Sequence, residues 1–584
     1  MTNNRKNIKR NSRIQLLLGL ALILLLNVIG SFLFYRLDLT SEKRYSLSPA
    51  TREMLSKLDD VIYFKVYLEG DFPAGFKRLR NETKEMLDEF NAYNDNIRYE
   101  FIDPSAGKDK KASDDLYRQL VESGLNPTDL QVRNNGGTSR QIIFPGAVVT
   151  YKNKQLPLDL LATSIGTPAE EQLNNSVQSL EYNLSNVIRK LIVSEKPHIA
   201  FIEGQGELDS LHTADIQNAL SEYYVVEKVR IDGHLSALTK HIQGKDSTSM
   251  HFKNKYKAII VAGPDSAFSE KDKFIIDQFI MRGGKALWMV DPVYANMDSL
   301  QKKDQTIGIA NEVNLADLFF NYGVRMNSDL VLDFTALPIP VVTGKMGNQP
   351  KTEFLPWYFF PVITPTSQNP IVKNLNAIKL EFAGTLDTLD TPGVKKTILL
   401  STSKYSKVLD APALISLDLL HQEPDPSQFN QPSQAVAVLL EGNFVSLFLN
   451  RVPPEISGAP QIGFVDKSKN TQMIVISDGD IAKNQLRPEQ SGISVLPAGF
   501  DRFTGQQFGN RDLILNAMNY LCDDSGLLSV RSRELKLRLL DGSKIKDEEF
   551  KWQMINVVAP VLLVVLFGIG QFYFRKRRYA VNKK

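Results

Sequence analysis

The chain holds a single cysteine, Cys522, among its 584 residues. That excludes an internal disulfide framework, CxxC redox chemistry and any Cys-rich zinc or iron–sulfur site. Histidine is nearly as scarce, and His198, His212, His234, His241 and His251 fall at no ligand spacing such as HExxH. No GxGxxG and no P-loop sequence is present, which removes the usual cradles for dinucleotides and nucleoside triphosphates. A nucleophile elbow is missing too. At the end of the strand-like AIIVAG, Gly263 stands where a hydrolase needs Ser or Cys, and Cys522 lies inside NAMNYLCDDS with no His beside it. No catalytic residue and no cofactor is expected.

What the chain does have is length, apolar runs and basic ends. Its length predicts three or four domains rather than one core. The net charge of +3 is unevenly placed: residues 1–13 carry five basic side chains, residues 575–584 carry six, neither stretch carries an acid, and the middle is left at −8. Such a middle is not that of a nucleic-acid-binding protein. Two uncharged runs sit just inside the basic ends, Ile14 to Phe34 (21 residues) and Ile555 to Phe574 (20 residues). As helices each is roughly 30 Å long, the thickness of a bilayer's hydrocarbon core. The first run exceeds a signal-peptide core, and YRLDLTSEKRYS shows no small-x-small cleavage site, so an uncleaved anchor is expected. Arg5, Lys6, Lys9, Arg10 and Arg13 precede the first run, while Arg575, Lys576, Arg577 and Arg578 follow the second. The positive-inside rule then predicts a two-pass protein of the bacterial inner membrane, both termini cytoplasmic and the large region periplasmic. Gly19, Gly30, Gly568 and Gly570 are the small residues that would let another helix pack closely on these spans.

Between the ends the periodicities alternate. Ser48–Pro49 opens a short helix, and VIYFKVYLEG, the helix-period stretch Phe76 to Tyr93 and IRYEFIDP then read as β-α-β. RQIIFPGAVVTYKNKQLPLDL (140–160) reads as a hairpin turning at Lys152–Asn153–Lys154. This order resembles a thioredoxin-like domain. Further on, YKAIIVAGPDSAFSEKDKFIIDQFIMRGGKALWMVDP (256–292) is a fully apolar strand, a helix opened by Ser269 and a second apolar strand. That pattern belongs to a parallel sheet covered on both faces. TQMIVISDGDIAKN and FGNRDLILNAMNYLCDDSG extend the same theme. The expected fold class is therefore α/β: a two-span membrane protein with a thioredoxin-like small domain and a larger parallel-sheet domain, flavodoxin-like or glutamine-amidotransferase-like. The expected division is a basic tail 1–13, a transmembrane helix 14–34, a small α/β domain 36–168 and a connecting helix 169–196. The larger domain follows in two parts, 197–334 and 471–530, with a mixed α/β region 335–470 inserted between them. A linker 531–554, a second transmembrane helix 555–574 and a basic tail 575–584 complete the chain.

Two places invite a chemical reading. The turn Gly204–Gln205–Gly206–Glu207 follows a strand, with Glu203 and Glu207 near the sheet's carboxyl end; the plainer reading is a tight turn with Glu207 capping the next helix. Asp478 and Asp480 follow the strand MIVIS, and Asp291 ends a neighbouring strand in MVDP. Three such carboxylates are metal-binding candidates, but a phosphoryl-transfer site would add a Lys, and none is evident. A structural role is expected.

The leader residues Asp38, Leu39, Thr40, Lys43, Arg44, Tyr45, Ser46, Leu47, Ser48 and Thr51, the stretch HIAFIEGQGE, the segment 256–292 and MIVISDGDIAKN together resemble the gliding-motility (GldG-type) auxiliary components of bacterial ABC exporters. The likeness runs over essentially the whole chain. The family commonly has GHGE where this chain has Gly204–Gln205–Gly206–Glu207, so the His is missing. The resemblance implies a non-catalytic subunit that couples a membrane permease, and through it a cytoplasmic ABC ATPase, to periplasmic gliding or type 9 secretion components. The bilayer is a further partner, and nucleic acid is not. Solute or polymer binding, and a weak metal-dependent hydrolase using Asp291, Asp478 and Asp480, are the alternatives.

Overall fold

A computed structural model describes residues 13–25, 27–28, 46–106, 110–134, 137–162, 168–193, 195–243, 250–300, 303–346, 349–421, 425–489, 492–523, 526–532 and 542–580. Arg5, Lys6, Lys9, Arg10, Gly30 and the leader up to Tyr45 lie outside these residues, as does the side chain of Arg578. The chain divides into two compact units, Met1–Arg533 and Glu534–Lys584.

The first unit begins with an apolar helix, α1 (Arg13–Leu25). Next comes α2 (Pro49–Ser56), where the Ser48 hydroxyl accepts the Thr51 amide and Pro49 occupies the first turn, where its missing N–H costs nothing. A four-stranded sheet follows, built from β1 (Ile62–Val66), β2 (Ile97–Phe101), β3 (Gly146–Tyr151) and β4 (Lys154–Asp159) in the order β2-β1-β3-β4. Strands β1 and β2 are parallel, and α3 (Ala74–Tyr93) makes the crossover between them. Antiparallel pairing of β1 with β3 sets Phe64 opposite Val149 and Ile62 opposite Tyr151, and these side chains form one core with α3 and α5. Helices α4 (Ala169–Gln178) and α5 (Leu180–Ile192) lead out of this subdomain. Glu181 of α5 accepts from the Ser48 amide at 2.7 Å and from the Thr51 hydroxyl at 2.9 Å, fastening α2 to α5.

The larger sheet has seven strands: β5 (His198–Glu203), β6 (Val225–Arg230), β7 (Ala258–Ala262), β8 (Lys285–Met289), β9 (Val394–Ser401), β10 (Ala435–Gly442) and β11 (Thr471–Ile476). Their order is β9-β10-β11-β8-β7-β5-β6. The run from β6 to β11 is parallel, and β9 and β10 are joined to it antiparallel. The apolar strands are buried on both faces. Ile260, Leu287 and Ile474 point into one core, Val261, Trp288 and Val475 into the other. Helices α6 (Ala214–Ser221) and α9 (Asn510–Cys522) cover the first face, with Leu220 and Met518 buried there; α7 (Glu270–Met281) and α8 (Ala316–Tyr322) cover the second, with Phe279 and Phe319 buried there.

Residues 335–470 contribute β9 and β10 to this sheet and also form a long hairpin, Ala336–Met346 with Gln349–Ile363. Its base is fixed by the buried Trp357 and Phe359, while Val342 and Phe354 further out are exposed. The expected hairpin at 140–160 is also drawn differently. Pro145 separates two hairpins, Thr128–Asn134 with Gly137–Ile143 and β3 with β4.

Two expectations are corrected. A flavodoxin-like or amidotransferase-like parallel sheet does not describe this domain, because the inserted region supplies two antiparallel strands to a mixed sheet. The thioredoxin-like assignment of the small subdomain is withdrawn with it: this part is a four-stranded mixed sheet with helices packed on it. The two-span, two-pass inner-membrane topology is also overturned. One helix among the described residues is long and apolar enough to cross a membrane, Glu548–Arg577 with 30 residues. At the first uncharged run the described stretch Arg13–Leu25 counts among the shorter apolar helices.

The second unit is α10 (Gly542–Ala580), which contains that 30-residue stretch and carries Pro560 inside it. Its apolar side chains are exposed, Val564 and Phe567 at 71% each and Phe574 at 78%, so it is no core helix. Arg575, Lys576 and Arg577 sit at its carboxyl-terminal end, where cations oppose the helix dipole.

Candidate functional site at the carboxyl edge of the sheet

The three aspartates singled out in the sequence come together. Strands β8 and β11 are parallel neighbours, so the loops beyond their ends, Asp291 and Asp478–Gly479–Asp480, lie side by side. The Gly479 amide donates to Asp291 Oδ1 at 2.7 Å, and a Cβ at Gly479 would collide with that carboxylate. Glycine is therefore required for the approach. Asp478 is buried; its Oδ2 accepts the Glu381 amide at 2.8 Å, while its Oδ1 has no partner.

Two lysines complete the group. Lys379 Nζ lies 2.7 Å from Glu381, and Lys483 Nζ lies 2.8 Å from Asp480. Sequence reasoning found no Lys here. Lys483 is three residues beyond Asp480 and was in plain view, whereas Lys379 arrives from the inserted region, about a hundred residues away along the chain, with no local signal.

The electrostatics divide the carboxylates into two kinds. Burial works to raise the Glu381 carboxyl, but the charge and hydrogen bond of Lys379 outweigh it and hold the group below its ordinary range. Lys379 is buried and yet stays above its ordinary value because Glu381 opposes its desolvation. Asp291 has no cation in direct contact, and desolvation, reinforced by the charge of Asp480, pushes it up to about 8. Asp478 is raised well above its ordinary value by the same desolvation, with Asp291 and then Asp480 adding repulsion. Asp480 is raised as well, its desolvation and the charge of Glu381 outweighing the contact with Lys483, so of the four carboxyls Glu381 alone is held below its ordinary range. Among the described residues no group of three or more His, Cys, Asp or Glu is arranged to hold a metal ion.

The neighbouring Gly204–Gln205–Gly206–Glu207 turn is equally closed. Glu207 accepts the Gln205 amide at 2.7 Å within its own turn rather than capping α6, and the Gln205 carbonyl accepts the amides of Asp265 and Ser266. Gly206 has a positive φ of 72°, and a Cβ there would overlap Asp265. The glycines serve backbone approach between loops, which is what a packed sheet edge asks of them. His198 sits at the other end of β5 beside Glu227, and Cys522 is buried in α9, so neither joins the acidic group.

The profile of a protein family described as an ABC-type uncharacterized transport system matches residues 196–517, more than half of the chain. The chain belongs to that family. A second profile, for a domain of unknown function, matches residues 41–150. An uncharacterized protein of Borreliella burgdorferi is 22% identical over 582 residues, spanning 98% of this chain and 99% of its own length. Among solved structures the mmIFT52 N-terminal domain covers 58% of this chain and 100% of its own at 12% identity, with a TM-score of 0.29 that carries no fold argument. As a member of its family the chain is an auxiliary component of an ABC-type transport system.

Proposed function

We propose that the chain is the membrane-tethered subunit of such a system, held in the bilayer by α10 beside a permease that recruits a cytoplasmic ABC ATPase. The observation that carries this reading is the exposed apolar face of α10 in a protein whose family serves transport. Gly568 and Gly570 lie in the apolar half of that helix, and a Cβ at either would meet no atom of this chain, which leaves room for a neighbouring helix. Arg575, Lys576 and Arg577 suit anionic lipid head groups at the helix end. The folded unit then serves as a fixed platform for partners of the transporter, gliding or secretion components being the class that the sequence resemblance names. The closed carboxyl edge supports a platform over an enzyme, since Glu381 and Asp480 already have their lysine partners.

Affinity purification of the full chain from its own membranes in mild detergent tests this. A multi-spanning permease and an ATPase should co-purify, and Gly568→Leu together with Gly570→Leu should weaken that association without altering the folded unit. Recovery of the chain alone, from membranes that contain the transporter, contradicts the proposal.

A further inference from the structure

The amino edge of the larger sheet, opposite the acidic group, carries a cleft of about 340 Å³. It lies where the small subdomain meets the sheet, between α2, the end of α5, the segment before β5, the Tyr223–Tyr224 turn after α6 and the end of α9. Its size falls at the lower end of the roughly 300–1,000 Å³ usual for small-molecule sites. The walls are apolar: Met54, Ile192, Pro197, Tyr223 and Leu527.

The rim is ionic. Among the described residues Lys57, Arg189, Lys190, Lys196 and Lys257 face Glu53, Glu195, Glu222 and Asp523, an excess of one cation. Three of the cations are held by carboxylates: Lys57 by Glu53 at 2.8 Å, Lys190 by Glu222 at 2.7 Å and Arg189 by Asp523 at 3.4 Å. Arg189 and Lys190 also lie over the Tyr223 ring, 5.3 and 4.5 Å from its centre, which fixes the aromatic wall in place. Lys196 differs. Its ammonium donates to the Ser221 carbonyl at 2.7 Å, a neutral acceptor.

We propose that this cleft binds a small amphipathic anion, a carboxylate or phosphate carried on one acyl chain or one aryl group. The apolar part lies against Met54, Ile192 and Leu527, and the anion meets Lys196 and Lys57 at the mouth. Charge complementarity selects an anion over a neutral amphiphile of the same length, and the apolar walls select an amphiphile over inorganic phosphate. Two sources offer this chemistry: a single-chain lipid from the bilayer, or a soluble organic acid. The proposal does not depend on the permease reading above, because the cleft lies wholly within the first unit.

The test uses the full chain in a neutral detergent and counts bound ligand by native mass spectrometry. Decyl phosphate and decanoate should each give one saturable adduct, and decanol none at the same concentration. Lys57 and Lys196 are both exposed, so Lys57→Gln with Lys196→Gln leaves the fold intact and should weaken binding roughly tenfold, equivalent to about 1.4 kcal/mol. Tighter binding of lysophosphatidylglycerol than of phenylpropionate assigns the lipid source, and the reverse order assigns the soluble acid. Absence of a saturable adduct, equal binding of decanol, or undiminished binding to the double variant overturns the proposal.

Discussion

The two edges of the seven-stranded sheet carry similar residues and arrange them differently. At the carboxyl edge Lys379 and Lys483 reach in to meet Glu381 and Asp480, and burial pushes the remaining pair, Asp291 and Asp478, toward the neutral form. At the amino edge the lysines stand on a rim around an apolar hollow, and Lys196 faces a carbonyl oxygen instead of a carboxylate. Carboxyl edges of parallel sheets are the customary place for ligands. Here that edge is filled by the protein's own groups, and open volume lies at the opposite edge. Acidic residues at strand ends therefore need their charge partners counted before chemistry is assigned to them.

The comparison breaks most visibly at Lys379. Replacing this buried cation with Met strands Glu381, and removing one partner of a buried pair costs about 3–5 kcal/mol. Urea unfolding of the folded unit should report that loss, and Lys379→Met combined with Glu381→Leu should recover most of it. Next in size is Gly479→Ala, whose Cβ would push Asp291 off the Gly479 amide at a cost of about 1–3 kcal/mol, read by the same unfolding curve.

The pH dependence is a separate effect. The Asp291 carboxyl is raised to about 8 when folded, so the folded state holds a proton that the unfolded state releases near pH 4. Stability should fall as pH rises from about 4 to 8 and level off above, to the extent this group dominates. Asp291→Asn should flatten that slope and raise the melting temperature at pH 9 relative to the parent chain. Smallest of all is the response to metal: millimolar Mg²⁺ or Mn²⁺ should shift the melting temperature by less than about 1 °C, since only a ligand that binds the native state stabilises it. A larger shift that disappears in Asp478→Asn would reopen the carboxyl edge as a site.

Much of this architecture was legible locally. Ser48 with Pro49, and Ser269 ahead of its helix, announce caps that the structure contains. The apolar runs at Lys285–Met289 and Thr471–Ile476 fall on strands buried on both faces, and Asp291, Asp478 and Asp480 follow them in the chain. What escaped is non-local. Strand β10 reads as one apolar run among several in a Pro-rich stretch, and its antiparallel place beside β11 is set by tertiary packing. The Lys379–Glu381 pair reaches Asp478 across 97 positions, a separation that no periodicity encodes. The uncharged run from Ile14 was read by composition alone, and only Arg13–Leu25, Asn27 and Val28 of that part of the chain are among the described helical residues. The cleft had no motif at all, because its walls come from six separate stretches of chain.

The central claim is that this protein works by assembly through α10 and not by chemistry at the carboxyl edge. One experiment sets the two against each other: quantitative co-purification of the permease and ATPase with the parent chain, with Asp291→Asn, and with a chain whose residues 555–574 are replaced by an unrelated apolar helix. Parent-level recovery with Asp291→Asn and loss of the transporter with the replaced helix is the predicted result. Undiminished recovery with the replaced helix, or loss of recovery in a folded Asp291→Asn chain, would contradict the account.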